Sequence, residues 1–493
     1  MASMYHSTRS SVKECSAKGA VLDGLAPDGG LYVTDELGSA RIDLSAVVGG
    51  TYRDNARLVL KTLLDDYTDA EMEDCVEAAY ASTFSTEAVT PVVKVGNDFV
   101  LELFHGPTSA FKDVALQMLP QLMSRAAAQE NKRIMILAAT SGDTGKAALA
   151  GFADTPGCGI TVFYPHGKTS EIQRLQMVTQ AGGNVAVGAV RGNFDDTQSA
   201  VKRIFGDREL AQRLDKRGIM LSSANSINIG RLAPQVVYYF DAYAQLVGNG
   251  AIAQGDMVDF CVPTGNFGDV LAGYYALRMG LPIRKLIVAS NENNVLTDFL
   301  QTGVYDRNRP FHKTISPSMD ILISSNLERL LYYMSDGDTA LIARLMDDLA
   351  TTGRYEIDGA LLERIQALFC CGYATDDEAR EAMKACFVKH GYVLDPHTAV
   401  AWHVSQRIPK QDGTARVVLA TASPYKFCRD VCAALDLDGE GDDFSCMRVL
   451  EAASGRKAPA ALCGLENAEE RFCDVMEAKD MAAYVEAKCG DLL

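Results

Sequence analysis

The chain has 493 residues, of which 48% are hydrophobic, and it carries a formal net charge of −17. A chain of this length buries a large core and divides into several domains. The acidic balance argues against nucleic acid or an anionic membrane surface as the main partner, so an anion would have to bind at a few locally placed cations.

Thirteen cysteines are scattered along the chain without a Cys-x-x-Cys pair. Their spacing favours neither a zinc site nor a disulfide framework, and a reducing cytoplasm is the simplest compartment for them. Residues 1–11 lack the apolar stretch of a signal peptide, and no run of about 18 apolar residues predicts a membrane helix. We therefore expect a cytoplasmic protein with no metal, membrane or nucleic-acid partner.

Residues 1–95 are predicted to form a small N-terminal module, with helical periodicity over 60–64 and 71–82. From 96 to about 290, short apolar runs alternate with helix-length segments, which predicts right-handed βαβ units and a mostly parallel sheet. The class is therefore α/β. The predicted strands are 99–104, 133–139, 159–164, 184–190, 257–262, 285–290 and 415–421.

Residues 307–390 are charged and poor in strand patterns, and they are predicted to form a helical insertion. Its predicted helices are 327–333, 338–351, 360–371 and 376–390. Residues 451–493 are expected to form a C-terminal tail.

Lys112 begins a helix directly after an apolar strand and a Gly-Pro turn. Apolar residues repeat at helical spacing from Phe111 to Leu122, and Thr108 and Ser109 are candidate helix caps. A partly desolvated amine near helix N–H dipoles has its charged form disfavoured, and only the neutral amine attacks an aldehyde. Lys112 is thus a candidate Schiff-base lysine, although most lysines are solvated surface groups and the local pattern alone is a weak signal.

Residues 260–269 read Phe-Cys-Val-Pro-Thr-Gly-Asn-Phe-Gly-Asp, where a strand ends and a helix begins. Such a turn directs several backbone N–H groups and a helix dipole at one point, which makes an anion site. An ordinary strand–helix connection has the same pattern, so this loop alone leaves both interpretations open.

Residues 137–148 read Leu-Ala-Ala-Thr-Ser-Gly-Asp-Thr-Gly-Lys-Ala-Ala and superficially resemble the phosphate loop of NTPases. In that motif the first glycine would fall at Thr140 and the Mg²⁺-binding hydroxyl at Ala147, and both are missing. What remains is a cup of amides and hydroxyls, from Thr140, Ser141 and Thr144, that suits a carboxylate or a phosphate.

Arg231 closes the segment 221–231, in which it follows Asn225, Ser226 and Asn228. A lone arginine is usually a solvated helix residue. Here the preceding polar side chains predict a second anion site, with Arg231 as a bidentate donor.

Taken together, these segments resemble the threonine synthase family, in its longer subgroup. The resemblance rests on Lys112 in its context, on the loop from Ser141 to Gly145, on residues 225–228 with Arg231, and on residues 265–269. Similar stretches occur at 7–9, 26–32, 316–321, 395–399 and 421–427, so the resemblance runs in order from about residue 5 to about residue 450.

The resemblance implies a pyridoxal-phosphate enzyme of the tryptophan-synthase-β fold, fold type II, with two open, twisted, mostly parallel sheets flanked by helices. It implies a large cofactor domain (96–134, 226–306 and 391–450) and a smaller substrate domain (135–225). The implied reaction converts the small molecule O-phospho-L-homoserine and water into L-threonine and phosphate, the last step of threonine biosynthesis. The expected assembly is a monomer or a homodimer.

The resemblance also implies roles for individual residues. Lys112 would hold pyridoxal 5′-phosphate covalently, and Thr421 would hydrogen-bond the pyridine nitrogen. The expected cofactor-binding residues are Lys112, Gly265, Asn266, Phe267, Gly268, Asp269, Thr421 and Asp143. The expected substrate-binding residues are Ser141, Thr144, Asn225, Ser226 and Arg231.

Three titratable residues keep more than one interpretation. Asp143 would lie near the cofactor or the substrate carboxylate, where a bare negative charge is costly. We therefore expect that this carboxylate is paired with Lys146, that it is protonated, or that it simply caps a helix. His105 and His397 are each either a base or a structural residue.

Two other functions remain compatible with the sequence. One is a pyridoxal-phosphate lyase of the threonine or serine dehydratase type, which has no substrate phosphate to hold and therefore needs no second anion site. The other is a non-catalytic relative that binds the cofactor, against which the retained Lys112 argues. A nucleotide-binding protein is disfavoured by Thr140 and Ala147.

Overall fold

The computed structural model describes residues 3–140 and 142–493, so Ser141 lies outside the described residues. The N-terminal module combines helices with an antiparallel sheet of order β2-β1-β3. Its elements are β1 (Tyr5–Ser7), β2 (Ser10–Cys15), α1 (Ala17–Asp23), β3 (Tyr32–Val33), α2 (Leu44–Val48), α3 (Tyr52–Leu63) and α4 (Asp69–Tyr80). Thr51 and Thr68 begin α3 and α4 with capping boxes, which stabilise both helix starts.

The middle of the chain alternates strands and helices, as the apolar pattern predicts. The elements are β4 (Val92–Val95), β5 (Asp98–Glu102), α5 (Lys112–Gln129), β6 (Arg133–Ala139), α6 (Asp143–Phe152), β7 (Cys158–Pro165), α7 (Glu171–Val178), β8 (Val185–Arg191), α8 (Phe194–Gly206), α9 (Arg208–Asp215), β9 (Ile219–Ser222), α10 (Ile229–Gly248), β10 (Val258–Pro263), α11 (Gly268–Arg278), β11 (Ile283–Ser290) and α12 (Val295–Thr302).

The C-terminal part is richer in helices and contains three 3₁₀ turns. Its first elements are β12 (Val304–Asp306), the 3₁₀ turn Pro317–Met319, α13 (Leu327–Met334), α14 (Thr339–Thr351), β13 (Arg354–Glu356), α15 (Gly359–Leu368), β14 (Phe369–Tyr373) and α16 (Asp376–His390). The remaining ones are α17 (Pro396–Arg407), β15 (Ala415–Ala420), the 3₁₀ turn Pro424–Phe427, α18 (Cys428–Ala434), α19 (Asp443–Ser454), α20 (Ala460–Cys463), the 3₁₀ turn Gly464–Asn467, β16 (Val475–Glu477) and α21 (Met481–Asp491).

Two sheets carry the fold. The large sheet has the order β14-β11-β10-β15-β5-β4, and the small sheet has the order β16-β8-β7-β6-β9. All pairs in both sheets are parallel except β4 with β5. The α/β class and the two mostly parallel sheets are confirmed, and each predicted strand agrees with an observed one to within two residues at either end.

The prediction for residues 360–371 is wrong at its C-terminal end. The helix α15 ends at Leu368, and Phe369 begins β14, which pairs in parallel with β11 and forms an edge of the large sheet. The segment 307–390 is therefore more than a helical insertion. Pairing with β11 overrides the local helical pattern, and this tertiary effect is invisible in a single window of sequence.

Residues 451–493 are also more than a tail. The strand β16 adds to the small sheet beside β8, and α21 packs on the same unit through Met481, Val485 and Cys489, whose side chains are fully buried. A three-residue strand is too short to show an alternating pattern, which explains why the sequence did not predict it.

Among the helices of the described residues, none combines the length and the apolar character that a membrane span needs.

The packing of α21 predicts a stability effect. Replacing Met481 by Ala should lower the free energy of unfolding of the small-sheet unit by about 2–4 kcal/mol, because a fully buried side chain leaves a cavity. Guanidinium unfolding followed by circular dichroism measures this, with the exposed Lys479→Ala as the control. Equal unfolding midpoints for the two variants would show that α21 is peripheral.

Candidate active site

The site lies where the carboxyl ends of the two sheets meet. The strands β5, β10 and β15 are neighbours in the large sheet, and the segments after them carry Lys112, Gly265 and Thr421. In the small sheet, β6 leads into Asp143. Lys112 Nζ lies 3.8 Å from Asp143 Oδ2, so the two edges come into contact there. This is the usual location of ligand sites in open parallel sheets.

Lys112 is the first residue of α5, and its side chain is 11% exposed. The N–H of Phe111 donates to the carbonyl of Thr421 at 2.8 Å, which fixes the helix start against the end of β15. Burial lowers the pKa of Lys112 to about 8, Lys426 and Arg231 act in the same direction, and Asp143 opposes them. A useful fraction of neutral amine is therefore present near neutral pH.

The turn before Lys112 differs from its prediction. The N-cap of α5 is Phe111, with no side-chain cap, and Ser109 has a positive φ of 57°. Thr108 does not cap the helix but donates from its N–H and its Oγ1 to the carboxylate of Asp113, at 2.8 and 2.6 Å. The buried Asp113 thus shapes the turn from inside the first helical turn.

Asp143 is paired with Lys146, which agrees with one of its three interpretations. Its Oδ1 lies 2.9 Å from Lys146 Nζ and 2.9 Å from Lys426 Nζ, and all three side chains are buried. Burial alone would raise the pKa of Asp143, but Lys146, Lys426 and Lys112 together hold it well below its usual range. The residue is therefore ionised, and the N-cap position of α6 belongs to Gly142.

The hydroxyl of Thr140 is not available to a ligand, contrary to expectation. It accepts hydrogen bonds from the N–H groups of Gly142 and Gly145, at 3.0 and 3.2 Å, and thereby organises the start of α6. Thr144 is half-buried in the first turn of α6, and its hydroxyl bonds to no described residue. Of the two, only Thr144 presents a hydroxyl to the site.

The loop 265–268 has the geometry of an anion nest. Phe267 adopts the left-handed conformation, with φ 62°, immediately before α11. The carbonyls of Gly265 and Asn266 accept from Ser324 Oγ at 2.8 Å and from the Asn326 N–H at 3.1 Å, so they are bound on one side. The N–H groups of Gly265, Asn266 and Phe267 bond to no described acceptor. Such an array suits a phosphate.

Asp269 and Thr421 border this loop. Asp269 Oδ1 accepts from the hydroxyls of Tyr238 and Tyr239, and its buried Oδ2 has no partner among the described residues. Burial raises the pKa of Asp269 to about 7, despite both tyrosines. Thr421 is buried, and its hydroxyl bonds to no described residue, so it remains available to a ligand.

Arg231 is a buried cation at the start of α10, with 5% of the residue exposed. Its Nη1 donates to the carbonyl of Ala224 at 2.8 Å, and no carboxylate of a described residue lies within ion-pair distance. Burial lowers the pKa of Arg231 to about 10. A buried, unpaired guanidinium is costly unless an anion binds it, which fits the predicted second anion site.

The polar residues before Arg231 divide into two groups. Asn225 is exposed and Ser226 is half-buried, with Ser226 Oγ donating to Asn225 Oδ1 at 3.3 Å. Asn228 does not face a ligand: it is the N-cap of α10, accepting from the Gly230 N–H and donating to the carbonyl of Val21. Its expected share in the anion site is therefore wrong.

The two histidines are held in hydrogen bonds with other protein groups. His105 Nε2 pairs with Glu102 Oε2 at 2.8 Å. His397 bonds to Asp395 Oδ1 through Nδ1, at 2.9 Å, and accepts from the Ser318 N–H through Nε2, at 3.2 Å. Neither contacts Lys112 directly, which favours the structural interpretation for both.

Sequence reasoning missed two residues of the site, Ser318 and Lys426. Ser318 Oγ lies 3.2 Å from Lys112 Nζ, and Lys426 pairs with Asp143 across the two sheets. Both occur in segments that carry the family resemblance, 316–321 and 421–427. Nothing local distinguishes them from other serines and lysines, because their partners are far away in sequence.

The residues present fit pyridoxal phosphate. A buried amine stands near a left-handed loop with unpaired N–H groups, and Asp269 Oδ2 is an orphaned buried atom beside that loop. A Cβ at Gly265 would lie 2.8 Å from the carbonyl oxygen of Ser318, so only glycine allows this close approach. No group of His, Cys, Asp and Glu side chains within the described ranges is arranged to hold a metal ion.

Three family models match the chain. The model described as pyridoxal-phosphate dependent enzyme matches residues 85–421, the model for the threonine synthase N terminus matches residues 4–80, and the model for the threonine synthase C-terminal region matches residues 398–486. The last match extends over residues that were expected to form a tail.

Known proteins show the same relationship. The chain is 43% identical to human threonine synthase-like 1, over 85% of this chain and 58% of that protein, so it spans less than two thirds of that relative. It is 39% identical to threonine synthase from Pseudomonas aeruginosa, over 86% of this chain and 88% of that protein.

A solved structure of threonine synthase with bound pyridoxal phosphate, from Brucella melitensis, superposes with a TM-score of 0.90 at 40% identity, covering 99% of this chain and all of that one. The chain therefore belongs to the threonine synthase family of pyridoxal-phosphate dependent enzymes.

Proposed function

We propose that this protein is a threonine synthase, which converts O-phospho-L-homoserine and water into L-threonine and phosphate with pyridoxal phosphate as cofactor. One observation carries the proposal. Lys112, Lys146 and Lys426 surround the carboxylate of Asp143 and hold it ionised, while the nearby Arg231 is a buried guanidinium with no carboxylate partner among the described residues.

The unpaired Arg231 calls for an anion from outside the chain. The cofactor brings a phosphate, and the substrate brings a second phosphate and a carboxylate. Buried cations are stable only when paired, so a ligand without a phosphate would leave Arg231 uncompensated. The unpaired Arg231 therefore favours a phosphorylated substrate over the hydroxy amino acid of a dehydratase.

Each expected site residue has a proposed part. Lys112 Nζ would hold the cofactor's aldehyde, the N–H groups of Gly265, Asn266 and Phe267 would hold its phosphate, and the hydroxyl of Thr421 would hydrogen-bond its ring nitrogen. Gly268 and Asp269 begin the helix behind the phosphate. The proposed substrate-binding residues are Ser141, Thr144, Asn225, Ser226 and Arg231.

When bound, pyridoxal phosphate supplies an electron sink next to the reacting amino acid. The chain supplies binding, orientation and proton movement. Lys112 Nζ is the amine proposed to move protons at the substrate's α- and β-carbons, because burial keeps part of it neutral. Arg231 would hold the phosphate that leaves.

Asp143 is proposed to bind the cofactor and also to orient the site. Its carboxylate holds Lys146 of the small sheet unit and Lys426 of the large one, and thereby fixes the gap in which the ligands lie.

A reducing cytoplasm is the proposed compartment, since buried thiols such as those of Cys75 and Cys261 suit it.

The first prediction concerns the covalent link. With pyridoxal phosphate, the protein should turn yellow, and borohydride should fix the cofactor onto the peptide that contains Lys112. Lys112→Ala should form no such adduct and should lose turnover, whereas the exposed Lys216→Ala should behave like the unmodified protein. Mass spectrometry of the reduced peptides decides, and an adduct on another lysine would contradict the assignment.

The second prediction concerns Arg231. Replacing it by Ala should lower kcat/KM for O-phospho-L-homoserine by a factor that corresponds to about 2–4 kcal/mol of lost transition-state stabilisation. The change should come mainly from a higher KM, because a charge-assisted contact to the substrate phosphate is lost. The exposed Arg191→Ala is the control. Steady-state phosphate release measures both variants. An unchanged KM in Arg231→Ala would remove this residue from the substrate site.

The third prediction concerns Asp143. Asp143→Asn should lower the free energy of unfolding by about 3–5 kcal/mol, because two buried lysines lose their counter-charge. Burial lowers the pKa of Lys146, so at alkaline pH the unfolded state binds more protons than the folded state. The destabilisation caused by Asp143→Asn should therefore shrink as the pH rises toward the ordinary pKa of lysine.

Chemical unfolding between neutral and alkaline pH measures this effect. The control is Asp195→Asn, which changes an exposed aspartate in the first turn of another helix. If Asp143→Asn were as stable as that control at neutral pH, Asp143 would not be the counter-charge of the two lysines.

A further inference from the structure

The hydroxyl of Ser318 stands between the reactive amine and the buried carboxylate. Its Oγ accepts a hydrogen bond from Lys112 Nζ at 3.2 Å and donates one to Asp143 Oδ2 at 3.3 Å. The direct distance between Nζ and Oδ2 is 3.8 Å, longer than either bond. A neutral hydroxyl therefore takes the hydrogen bond of the amine, and Asp143 acts on the amine only from ion-pair distance.

The backbone of Ser318 is fixed by a histidine. The Ser318 N–H donates to His397 Nε2 at 3.2 Å, and His397 Nδ1 bonds to Asp395 Oδ1 at 2.9 Å. Because a carboxylate accepts, Nδ1 carries the proton, and both ring nitrogens are then satisfied. His397 thus orients the turn that carries Ser318 and does not reach the amine itself.

The rest of this turn is anchored on both sides. The Asn291 amide donates to Ser316 Oγ at 3.0 Å and to Asp320 Oδ1 at 2.7 Å, which holds the two ends of the turn. On the other side, the carbonyl oxygen of Ser318 packs against Gly265 so closely that a Cβ there would lie 2.8 Å away. The turn therefore touches the amine and the phosphate loop together, and a rigid support for Ser318 is in place.

We propose that Ser318 positions the amine of Lys112 and keeps it beyond hydrogen-bond distance of Asp143, and that His397 is a positioning residue that acts through Ser318. This inference rests on the proposed function of Lys112. The charged groups that face the amine are Asp143 from α6, Lys426 from the 3₁₀ turn after β15, Arg231 from α10, and Asp113 on α5 itself.

Loss of the hydroxyl should bring the amine closer to Asp143, because among the described side chains only Ser318 accepts a hydrogen bond from Nζ and Asp143 lies 3.8 Å away. A closer opposite charge favours the charged amine and raises its pKa. The neutral amine that attacks the cofactor's aldehyde then becomes scarcer at a given pH. His397→Ala should act in the same direction, since it loosens the turn that holds Ser318.

The test is the rate at which the cofactor-free, full-length protein takes up pyridoxal phosphate, followed by absorbance from pH 6 to pH 10. In the unmodified protein this rate should rise with a midpoint of about 8, the pKa of Lys112. In Ser318→Ala the midpoint should rise by about one pH unit and the rate at pH 7 should fall about tenfold. Ser318→Thr, which keeps the hydroxyl, and the exposed Ser39→Ala should match the unmodified protein.

An unchanged midpoint in Ser318→Ala, or a midpoint raised equally in Ser318→Thr, would overturn the role of the hydroxyl. If Ser318→Ala does not fold, Ser318→Cys, with its weaker hydrogen bonds, serves as the test and should shift in the same direction. Borohydride fixation of the cofactor in the unmodified protein separates the role of Ser318 from the proposed function. If no cofactor is fixed at Lys112, the proposed function fails. If it is fixed there, an unchanged midpoint in Ser318→Ala contradicts only the role of Ser318.

Discussion

The structure depends on one buried carboxylate that several cations share. Asp143 begins α6 in the small sheet unit and pairs with Lys146 of the same helix. It also pairs with Lys426, which follows β15 of the large sheet, so a single charge joins the two halves of the molecule. Lys112 lies on the edge of this cluster. The ion pairs of this cluster stabilise the fold, and the neighbouring Arg231, which has no carboxylate partner among the described residues, creates the demand for an anionic ligand.

A second set of contacts holds the loops around that cluster. Arg329 is fully buried and donates to the carbonyls of Tyr32 and Ile227 and to the side chain of Asn326. It thereby connects the N-terminal module with the loop before α10. Asn326 in turn binds the carbonyl of Asn266, beside the anion nest. The N-terminal module is thus part of the support of the site, which explains why it belongs to the same compact unit as the two sheets.

The sequence predicted the parts of the site that are local. Strand–turn–helix patterns with glycine and small polar residues located Lys112 and the loop at Gly265, because their backbone geometry is encoded within a few residues. The contacts of Ser318 with Lys112 and of Lys426 with Asp143 span more than 200 residues and depend on how the sheets pack, which no local pattern contains. The edge strand β14 escaped prediction for the same reason, and β16 has only three residues, too few to show an alternating pattern. The hydroxyls of Thr140 and Thr108 looked like ligand-binding or capping groups and instead shape their own turns.

The most direct test of the whole account is the stoichiometry of the products. The protein, pyridoxal phosphate and O-phospho-L-homoserine are incubated together, and threonine and inorganic phosphate are quantified in the same samples. The account predicts that both products appear in equal amounts, because a neutral amine at Lys112 moves protons while Arg231 holds the departing phosphate. Phosphate released with a 2-oxo acid and ammonia in place of threonine, or no release of phosphate at all, would contradict it.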